Sequence, residues 1–371
     1  MIAEALKKAV GGQHLTADET HGAFREIMDG AADPVLVAAL LTALQVNGPT
    51  AEEVTGAARA MRAAGVHLHA PADAVDIVGT GGDDFGTFNV STTAAFIAAG
   101  AGVTVAKHGN RASTSKCGAA DCLAALGYNL DLAPGDVERS IAANGIGFCF
   151  ANLCHPAMRY AASVRRALPF RTIFNLLGPL TNPAGVTRHA LGVYAPDVVP
   201  LYIDALRALG ARKALVFCGP DGLDELGLAG PSHVAELDAD GSVRAYDFDP
   251  ARVFGRYYPI EAIRGGAPEE NAKLTRAVLA GEEKGPYRFA AALNAAAAIV
   301  AGGKAATLAD GLSRAFLSLD AGAAYHKLAA LVADSNEGTR EYMGRCCPRT
   351  TRSGRDRTRN PSSACCSDRR I

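Results

Sequence analysis

The sequences DIVGTGGDDFGTFNVST at 76–92 and VTVAKHGNRASTSKCG at 103–118 decide the fold of this chain. Each starts as a short apolar strand and ends in a glycine-rich turn, GTGGD at 79–83 and KHGNRASTSKCG at 107–118. Glycines let the backbone turn sharply, and the N–H groups of such turns can point at a ligand. Together with NVST at 89–92, the two turns predict a cradle for the oxygens of a polyphosphate.

The segment before these turns predicts a group of helices. Apolar residues recur at helical spacing throughout residues 1–65. Three helix starts are marked by capping signals, at Thr16 with Glu19, Asp33 with Pro34, and Thr50 with Glu53. The chain therefore opens with helices that precede any strand.

After Pro71, helical stretches alternate with short apolar runs, which predicts an α/β fold with a central, mainly parallel sheet. The apolar runs are Val75–Val78, Val103–Lys107, Ile146–Phe150, Leu191–Tyr194 and Ala214–Cys218. Later helices are predicted at Pro156–Leu168, Pro268–Ala280, Arg288–Val300 and Thr307–Ala333, with helical or irregular structure over Arg171–Asn182.

Composition narrows the class of protein. A chain of 371 residues with 49% hydrophobic content can bury large cores, in roughly two domains. Residues 340–371 contain nine arginines and three acidic residues, so their formal net charge is +6. Because the formal net charge of the whole chain is −1, the remaining residues carry −7. An acidic body argues against a nucleic-acid binder and is typical of a soluble metabolic enzyme.

The chain start and the cysteines predict a cytoplasmic protein. The start, MIAEALKKAVGG, lacks the apolar core of a signal peptide, and the apolar run Ala94–Ala106 is too short to span a bilayer. The pairs Cys117/Cys122 and Cys149/Cys154 do not have the usual zinc spacing. We expect the cysteines of the body to be reduced and structural.

The first turn offers donors of several kinds. Asp83 presents a carboxylate to sugar hydroxyls or to a hydrated cation, and Thr87 leads into NVST at 89–92, which opens a helix. The positive end of that helix would face a diphosphate. Taken alone, GTGGD is more typical of a tight turn between a strand and a helix than of a ligand site.

The second turn adds cations. Lys107 ends an apolar strand and could place its ammonium group beside the same phosphates, with His108 and Arg111 close by. Ser113, Thr114 and Ser115 are small hydroxyl donors suited to phosphate oxygens. A solvated basic turn is the alternative, but two such turns after successive strands favour a phosphate site.

Six motifs in this order resemble the anthranilate phosphoribosyltransferase family of tryptophan biosynthesis. They are GTGGD, NVST, KHGNR, HPAMRYAASVR at 155–165, RTIFNLLGPLTNPA at 171–184 and DGLDEL at 221–226. The resemblance runs from about residue 3 to Asn336. It implies a small helical domain of residues 1–70 with about 167–185, a large α/β domain of 71–166 and 186–336, and a homodimer.

The resemblance also implies a reaction. The family transfers the phosphoribosyl group of 5-phosphoribosyl-1-diphosphate to the amine of anthranilate, with Mg²⁺ as cofactor and release of pyrophosphate. The residues implied to bind the donor are Gly79, Gly82, Asp83, Thr87, Asn89, Val90, Ser91, Thr92, Lys107, His108, Gly109, Asn110, Arg111, Ala112, Ser113, Thr114, Ser115 and Ala119. Those implied for anthranilate are Gly79, Asn110, His155 and Arg165, and those linked to magnesium are Ser91, Asp224 and Glu225.

Three of these assignments also have a physical basis in the residue types. Arg165 can present a planar fork to the anthranilate carboxylate, although a surface arginine is the plain alternative. Asp224 and Glu225 give adjacent oxygen donors for Mg²⁺, although adjacent acids are usually just solvated. His155 precedes a proline at a helix start, where capping or core packing would also explain it. Lys107 is expected to stabilise the leaving group, and no general base is assigned.

The tail departs from the family pattern. Residues 337–371 are rich in Arg, Ser and Pro, which predicts disorder, and a shifted reading frame or a basic extension could explain them. Cys117 also stands where the family generally has a small hydroxyl residue. Two other functions are left open: a pyrimidine-nucleoside phosphorylase, and a non-catalytic relative that binds nucleic acid. Neither a membrane nor a nucleic-acid partner is expected.

Overall fold

The structure, a computed structural model, describes residues 1–112 and 115–346, with side chains as far as Glu337. Residues 1–336 form one compact unit, and 337–371 form a second. Disorder was expected for 337–371, but the backbone of 337–346 is helical, because the last helix continues to Cys346. Residues 347–371 lie outside the described residues.

The helices and strands alternate after an all-helical start. The helices are α1 Ile2–Val10, α2 Ala17–Met28, α3 Pro34–Asn47, α4 Ala51–Ala64, α5 Val90–Gly100, α6 Ala119–Ala125, α7 Pro134–Asn144, α8 Ala151–Cys154, α9 Arg159–Ala167, α10 Phe174–Leu177, α11 Val198–Ala208, α12 Ala251–Phe254, α13 Pro268–Leu279, α14 Pro286–Ala301, α15 Leu308–Asp320 and α16 Ala323–Cys346. The strands are β1 Val75–Gly79, β2 Val105–Gly109, β3 Ile146–Phe150, β4 Arg188–Gly192, β5 Lys213–Cys218, β6 Ser232–Leu237 and β7 Val243–Phe248.

Helices α1 to α4 form the predicted helical group, and α9 and α10 pack against it. The capping signals are confirmed: Thr16 and Thr50 each form a reciprocal capping box, and Asp33 accepts a hydrogen bond from the N–H of Val35 at 2.7 Å. The buried carboxylate of Glu53 also accepts the N–H of Leu15 at 2.9 Å, which ties the loop before α2 to α4.

The predicted mainly parallel sheet is confirmed. Its seven strands lie in the order β3-β2-β1-β4-β5-β6-β7. The first five strands are parallel, whereas β6 and β7 are antiparallel and were not predicted. Strand β4 begins three residues before the predicted run at Leu191, because the polar residues Arg188 and His189 lie in the strand.

The strand order creates a crevice at one edge of the sheet. From β1 the chain passes to β2 on one side, while β4 pairs with β1 on the other side. Ligands of open parallel sheets bind outside the carboxyl ends of the strands where the order reverses in this way. Gly79 and Gly192 end the two central strands at this point and pair with each other. Within the described residues, no helix is long and apolar enough to cross a membrane.

Candidate active site

The GTGGD turn lies at this crevice and is held by two hydrogen bonds from its backbone N–H groups. Thr80 donates its N–H to the carbonyl of Gly192 at 3.0 Å, and Gly81 donates its N–H to Oδ2 of Asp224 at 2.5 Å. Gly81 and Gly82 both have a φ of +73°, a backbone conformation that glycine adopts without strain. The turn therefore depends on its glycines and on the distant loop that carries Asp224.

Glycine is also required beneath that loop. A Cβ atom at Gly79 would collide with the Asp224 carboxylate, and one at Gly192 would collide with the Asp224 carbonyl. The two strand ends thus leave room for the loop after β5 to descend between them. This loop carries the predicted magnesium residues into the crevice.

Three carboxylates meet there. Oδ2 of Asp83 lies 3.5 Å from the backbone nitrogen of Asp224, and Glu225 accepts the N–H of Ser91 at 3.1 Å. Burial, with the charges of Asp83 and Glu225, holds the pKa of Asp224 well above its usual range. Burial raises the pKa of Glu225 to about 8, although Lys107 opposes the shift. These carboxylates are poorly compensated as they stand.

Lys107 is the cation of the crevice. It is buried at the end of β2, and its Nζ donates to the carbonyl of Ile77 at 2.6 Å and to Oγ of Ser91 at 3.4 Å. Burial lowers its pKa, whereas the carboxylates of Asp76, Glu225 and Asp224 act in the opposite direction. The ammonium therefore lies between strand β1 and the start of α5.

The donor set suits Mg²⁺ held partly by its ligands. Hard carboxylate oxygens of Asp83, Asp224 and Glu225 converge at the entrance of α5, beside the hydroxyl of Ser91. In the described part of the chain, no three acidic, His or Cys side chains are arranged to coordinate a metal ion by themselves. Water and substrate phosphates would therefore complete the coordination, as is usual for Mg²⁺.

The start of α5 is fixed by a polar network that the sequence did not reveal. Asn89 precedes α5, and its Oδ1 accepts hydrogen bonds from Asn271 Nδ2 at 2.9 Å and from Cys117 Sγ at 3.2 Å. Its side chain is thus engaged within the protein and orients the backbone. Thr92 is buried, and its hydroxyl has no partner among the described residues. Val90 is buried in the core, so only its backbone can serve a ligand.

The second turn is organised by Asp121, which was not predicted. Its carboxylate accepts the N–H groups of Ala112 at 2.8 Å and Gly118 at 3.0 Å, and it pairs with Arg111 at 2.8 Å. Arg111 is therefore already engaged, whereas the prediction left it free for phosphate. Ser113 and Thr114 lie outside the described residues.

Several predicted donor residues have mainly structural surroundings. Thr87 forms an isolated antiparallel β-bridge with Arg264. A Cβ atom at Gly109 would crowd the side chains of Phe148 and Ala119. Ser115 is exposed within the second turn. These positions shape the backbone of the two turns.

Two histidines of the predicted site lie close together: His108, predicted for the donor, and His155, predicted for anthranilate. His108 follows Lys107 in β2, and its ring centroid is 5.1 Å from that of His155. Nδ1 of His108 lies 3.1 Å from the carbonyl of Gly178, while its Nε2 has no partner in the part of the chain that is described. Burial lowers the pKa of His108 to about 3, and burial also lowers the pKa of His155. Both rings are therefore neutral at physiological pH.

Arg165 lies half-buried on α9, with its guanidinium carbon 5.3 Å from the centroid of the Phe174 ring. Burial lowers its pKa. No carboxylate within the described residues forms an ion pair with it, whereas its neighbour Arg166 is exposed. The structure records no direct contact of Arg165 with Asn110 or His155, so only a ligand would link them. Asn110 itself accepts the N–H of Arg111 at 2.8 Å.

Comparison with known proteins gives the same picture over most of the chain. Residues 3–65 match the helical bundle domain of the glycosyl transferase family, and residues 71–325 match its a/b domain. The anthranilate phosphoribosyltransferase of Rubrobacter xylanophilus is 50% identical over 333 residues, which are 89% of this chain and 96% of that protein.

Solved structures agree with this. The crystal structure of anthranilate phosphoribosyltransferase from Thermus thermophilus superposes with a TM-score of 0.85 at 46% identity, over 90% of this chain and 99% of that one. The enzyme from Saccharomyces cerevisiae in complex with PRPP and Mg gives 0.81 at 28% identity, over 90% and 98% of the two chains.

The fold and the crevice define a glycosyltransferase built from a helical bundle and an α/β domain. Its two glycine turns, buried lysine and carboxylates stand at the reversal point of the sheet. The chain belongs to the anthranilate phosphoribosyltransferase family.

Proposed function

We propose that this protein transfers the phosphoribosyl group of 5-phosphoribosyl-1-diphosphate to the amine of anthranilate, giving N-(5-phosphoribosyl)anthranilate and pyrophosphate. One observation carries the proposal. In a chain about half identical to its curated relatives, Lys107 and the Asp83, Asp224 and Glu225 carboxylates converge at the first turn of α5. This is an arrangement for a diphosphate and a divalent cation.

The donor side stabilises the leaving group. Negative charge grows on pyrophosphate as its bond to the anomeric carbon breaks, and preorganised charges lower the energy of that state. The Lys107 ammonium and the N–H groups at the start of α5 supply positive potential there. Bound Mg²⁺ would neutralise diphosphate charge, held through Asp224, Glu225 and Ser91. Asp83 would hold the ribose hydroxyls or a water of the ion.

The acceptor side orients the amine. Arg165 offers an unpaired guanidinium fork to the anthranilate carboxylate, and Asn110 would align the amine for attack. The neutral rings of His155 and of His108, which follows Lys107 in β2, pack edge to face against each other. An arylamine is a neutral nucleophile, so the site needs no strong base.

We further propose a homodimer formed through the helical bundle, in the cytoplasm. Helix α3 has an almost entirely apolar sequence, yet Val35 and Val46 at its two ends are 75% and 80% exposed in the single chain. Val10 at the end of α1 is 72% exposed. Apolar surface of this kind is typical of a subunit interface. We also propose that residues 1–70 and about 167–185 together form the small helical domain.

The test of the reaction is direct. When purified protein is mixed with anthranilate, the phosphoribosyl donor and Mg²⁺, the fluorescence of anthranilate should decrease and pyrophosphate should be released. No fluorescence change under any order of addition would refute the proposed activity.

A second experiment tests the metal residues. The double variant Asp224→Asn/Glu225→Gln should require much more Mg²⁺ for half-maximal rate, because two hard oxygen donors lose their charge. Glu282→Gln/Glu283→Gln, an adjacent acidic pair between α13 and α14, is the matched control and should titrate like the parent. A parent-like magnesium titration of the first variant would overturn the assignment.

A further inference from the structure

Arg171 lies in the segment between α9 and α10 and was not among the predicted site residues. Its Nη2 donates to the carbonyl of Gly82, inside the GTGGD turn. Its guanidinium carbon lies 4.1 Å from the centroid of the Tyr194 ring, which follows β4. Within the described residues no carboxylate forms an ion pair with it. Arg171 is therefore a cation whose partners are a backbone carbonyl and an aromatic face.

This contact holds the donor turn at a second point, next to the one held by Asp224. The carboxylate of Asp224 accepts the N–H of Gly81, and the guanidinium of Arg171 binds the carbonyl of the next residue, Gly82. Both glycines have left-handed backbone angles, so the turn has little conformational preference of its own. Two side chains of the surrounding chain thus fix the peptide groups before and after the Gly81–Gly82 bond, and the second of these groups leads directly into Asp83.

The same segment reaches the acceptor side. Phe174, three residues after Arg171, lies under the guanidinium of Arg165. Gly178, further along, places its carbonyl 3.1 Å from the His108 ring. A short stretch of chain therefore contacts the donor turn, the His108 ring and, through Phe174, the predicted anthranilate residue Arg165.

We propose that Arg171 is a positioning residue that locks the GTGGD turn in its donor-binding shape and couples that turn to the acceptor side of the site. The role rests on the proposed phosphoribosyl transfer. It requires the planar guanidinium, because one face stacks on Tyr194 while an edge donates to Gly82. A lysine ammonium cannot satisfy both partners.

The kinetic test uses three variants. Arg171→Ala should raise the donor KM about tenfold, the effect expected when a hydrogen bond from a charged donor is lost, and change the anthranilate KM less. Arg171→Lys should behave like Arg171→Ala, and added methylguanidine should restore part of the rate of Arg171→Ala only. Arg166→Ala, an exposed arginine on α9, is the control and should keep parent constants. A parent-like donor KM in Arg171→Ala or Arg171→Lys would overturn the proposal.

A second measurement does not depend on turnover. Amide hydrogen exchange of residues 80–83 should be faster in Arg171→Ala than in the parent, and Tyr194→Leu should accelerate it as well, since the stacking face is lost. Unchanged exchange in this turn would count against the lock even if rates fell. If the parent itself consumed no anthranilate, the proposed function would fail, while the exchange experiment would still decide whether Arg171 holds the turn.

Discussion

Removing the guanidinium of Arg165 should weaken anthranilate binding selectively. The group is half-buried over the Phe174 ring, and no carboxylate of the described residues pairs with it. A half-buried cation without a protein anion has already lost part of its hydration. Its favourable partner is therefore an anionic ligand, and the anthranilate carboxylate is the only anion the proposed reaction brings to this side.

The magnitude follows from the contact that would be lost. A hydrogen bond to a charged group contributes about 1.5–3 kcal/mol, and about 1.4 kcal/mol corresponds to a factor of ten. Arg165→Ala should therefore raise the anthranilate KM roughly tenfold to a hundredfold and leave the donor KM within about twofold. Stability should change little, because the folded chain loses only a contact with Phe174 that contributes roughly 0.5–1 kcal/mol.

The assay follows anthranilate fluorescence while anthranilate is varied at saturating donor and Mg²⁺, and then while the donor is varied at saturating anthranilate. Thermal unfolding of each variant is measured alongside. Arg165→Lys keeps the charge but loses the fork, so it should recover only part of the affinity. Arg166→Ala, the exposed neighbour, should match the parent. Equal increases of the two KM values, or a large loss of stability, would show that Arg165 supports the fold instead of holding the carboxylate.

Three further outcomes follow from buried groups. Gly192→Ala should lower the free energy of unfolding by about 1–3 kcal/mol and reduce activity, because its Cβ would meet the Asp224 carbonyl; parent-like urea denaturation would contradict this. Glu53→Ala leaves two N–H groups, one of them from Leu15, without their acceptor, so urea denaturation should show a loss of roughly 2–5 kcal/mol, with a smaller loss for Glu53→Gln. Burial raises the pKa of Asp76 from 3.8 to about 6, so the native state binds more protons than the unfolded state between these pH values. Asp76 should therefore lower the free energy of unfolding of the parent by on the order of 3 kcal/mol as pH rises from about 4 to about 6. Asp76→Asn should show a smaller fall, because the raised pKa values of Asp224 and Glu225 still act in the same direction. Equal pH slopes in urea denaturation of the two proteins would refute the assignment.

Local signals predicted most of the fold. Capping boxes and glycine stops act within a few residues, so α2, α3 and α4 could be placed from the sequence. The antiparallel strands β6 and β7 were missed, because SHVAEL and VRAYDF mix charged residues into the strand. Glu236 shows why: it is buried in β6 only because Arg244 and Lys213 on neighbouring strands pair with it. That compensation exists only after the sheet has formed.

The residues of the candidate site also fall into two groups, those that a local motif predicts and those that only distant partners define. Residues on the two glycine turns were predictable, since each turn follows its strand directly. Asp121 and Asn271 were not, because their roles are to hold other site residues in place. Asp76 is a similar case: it lies in β1, accepts the N–H of His108 at 3.0 Å and faces Lys107 through the sheet. Supporting residues of this kind are defined by distant partners and carry no local motif.

The charge balance of the crevice explains why a divalent cation belongs to the reaction. Among the described residues, the carboxylates of Asp83, Asp224 and Glu225 outnumber the cations Lys107 and Arg171, so the crevice is net negative when all of them are ionised. A diphosphate is itself strongly anionic and would be repelled by such a pocket. A cation that binds carboxylates on one side and phosphate oxygens on the other converts this repulsion into attraction. In the proposed site, the carboxylates would favour the donor together with its metal ion, because the free diphosphate would meet a pocket of its own sign.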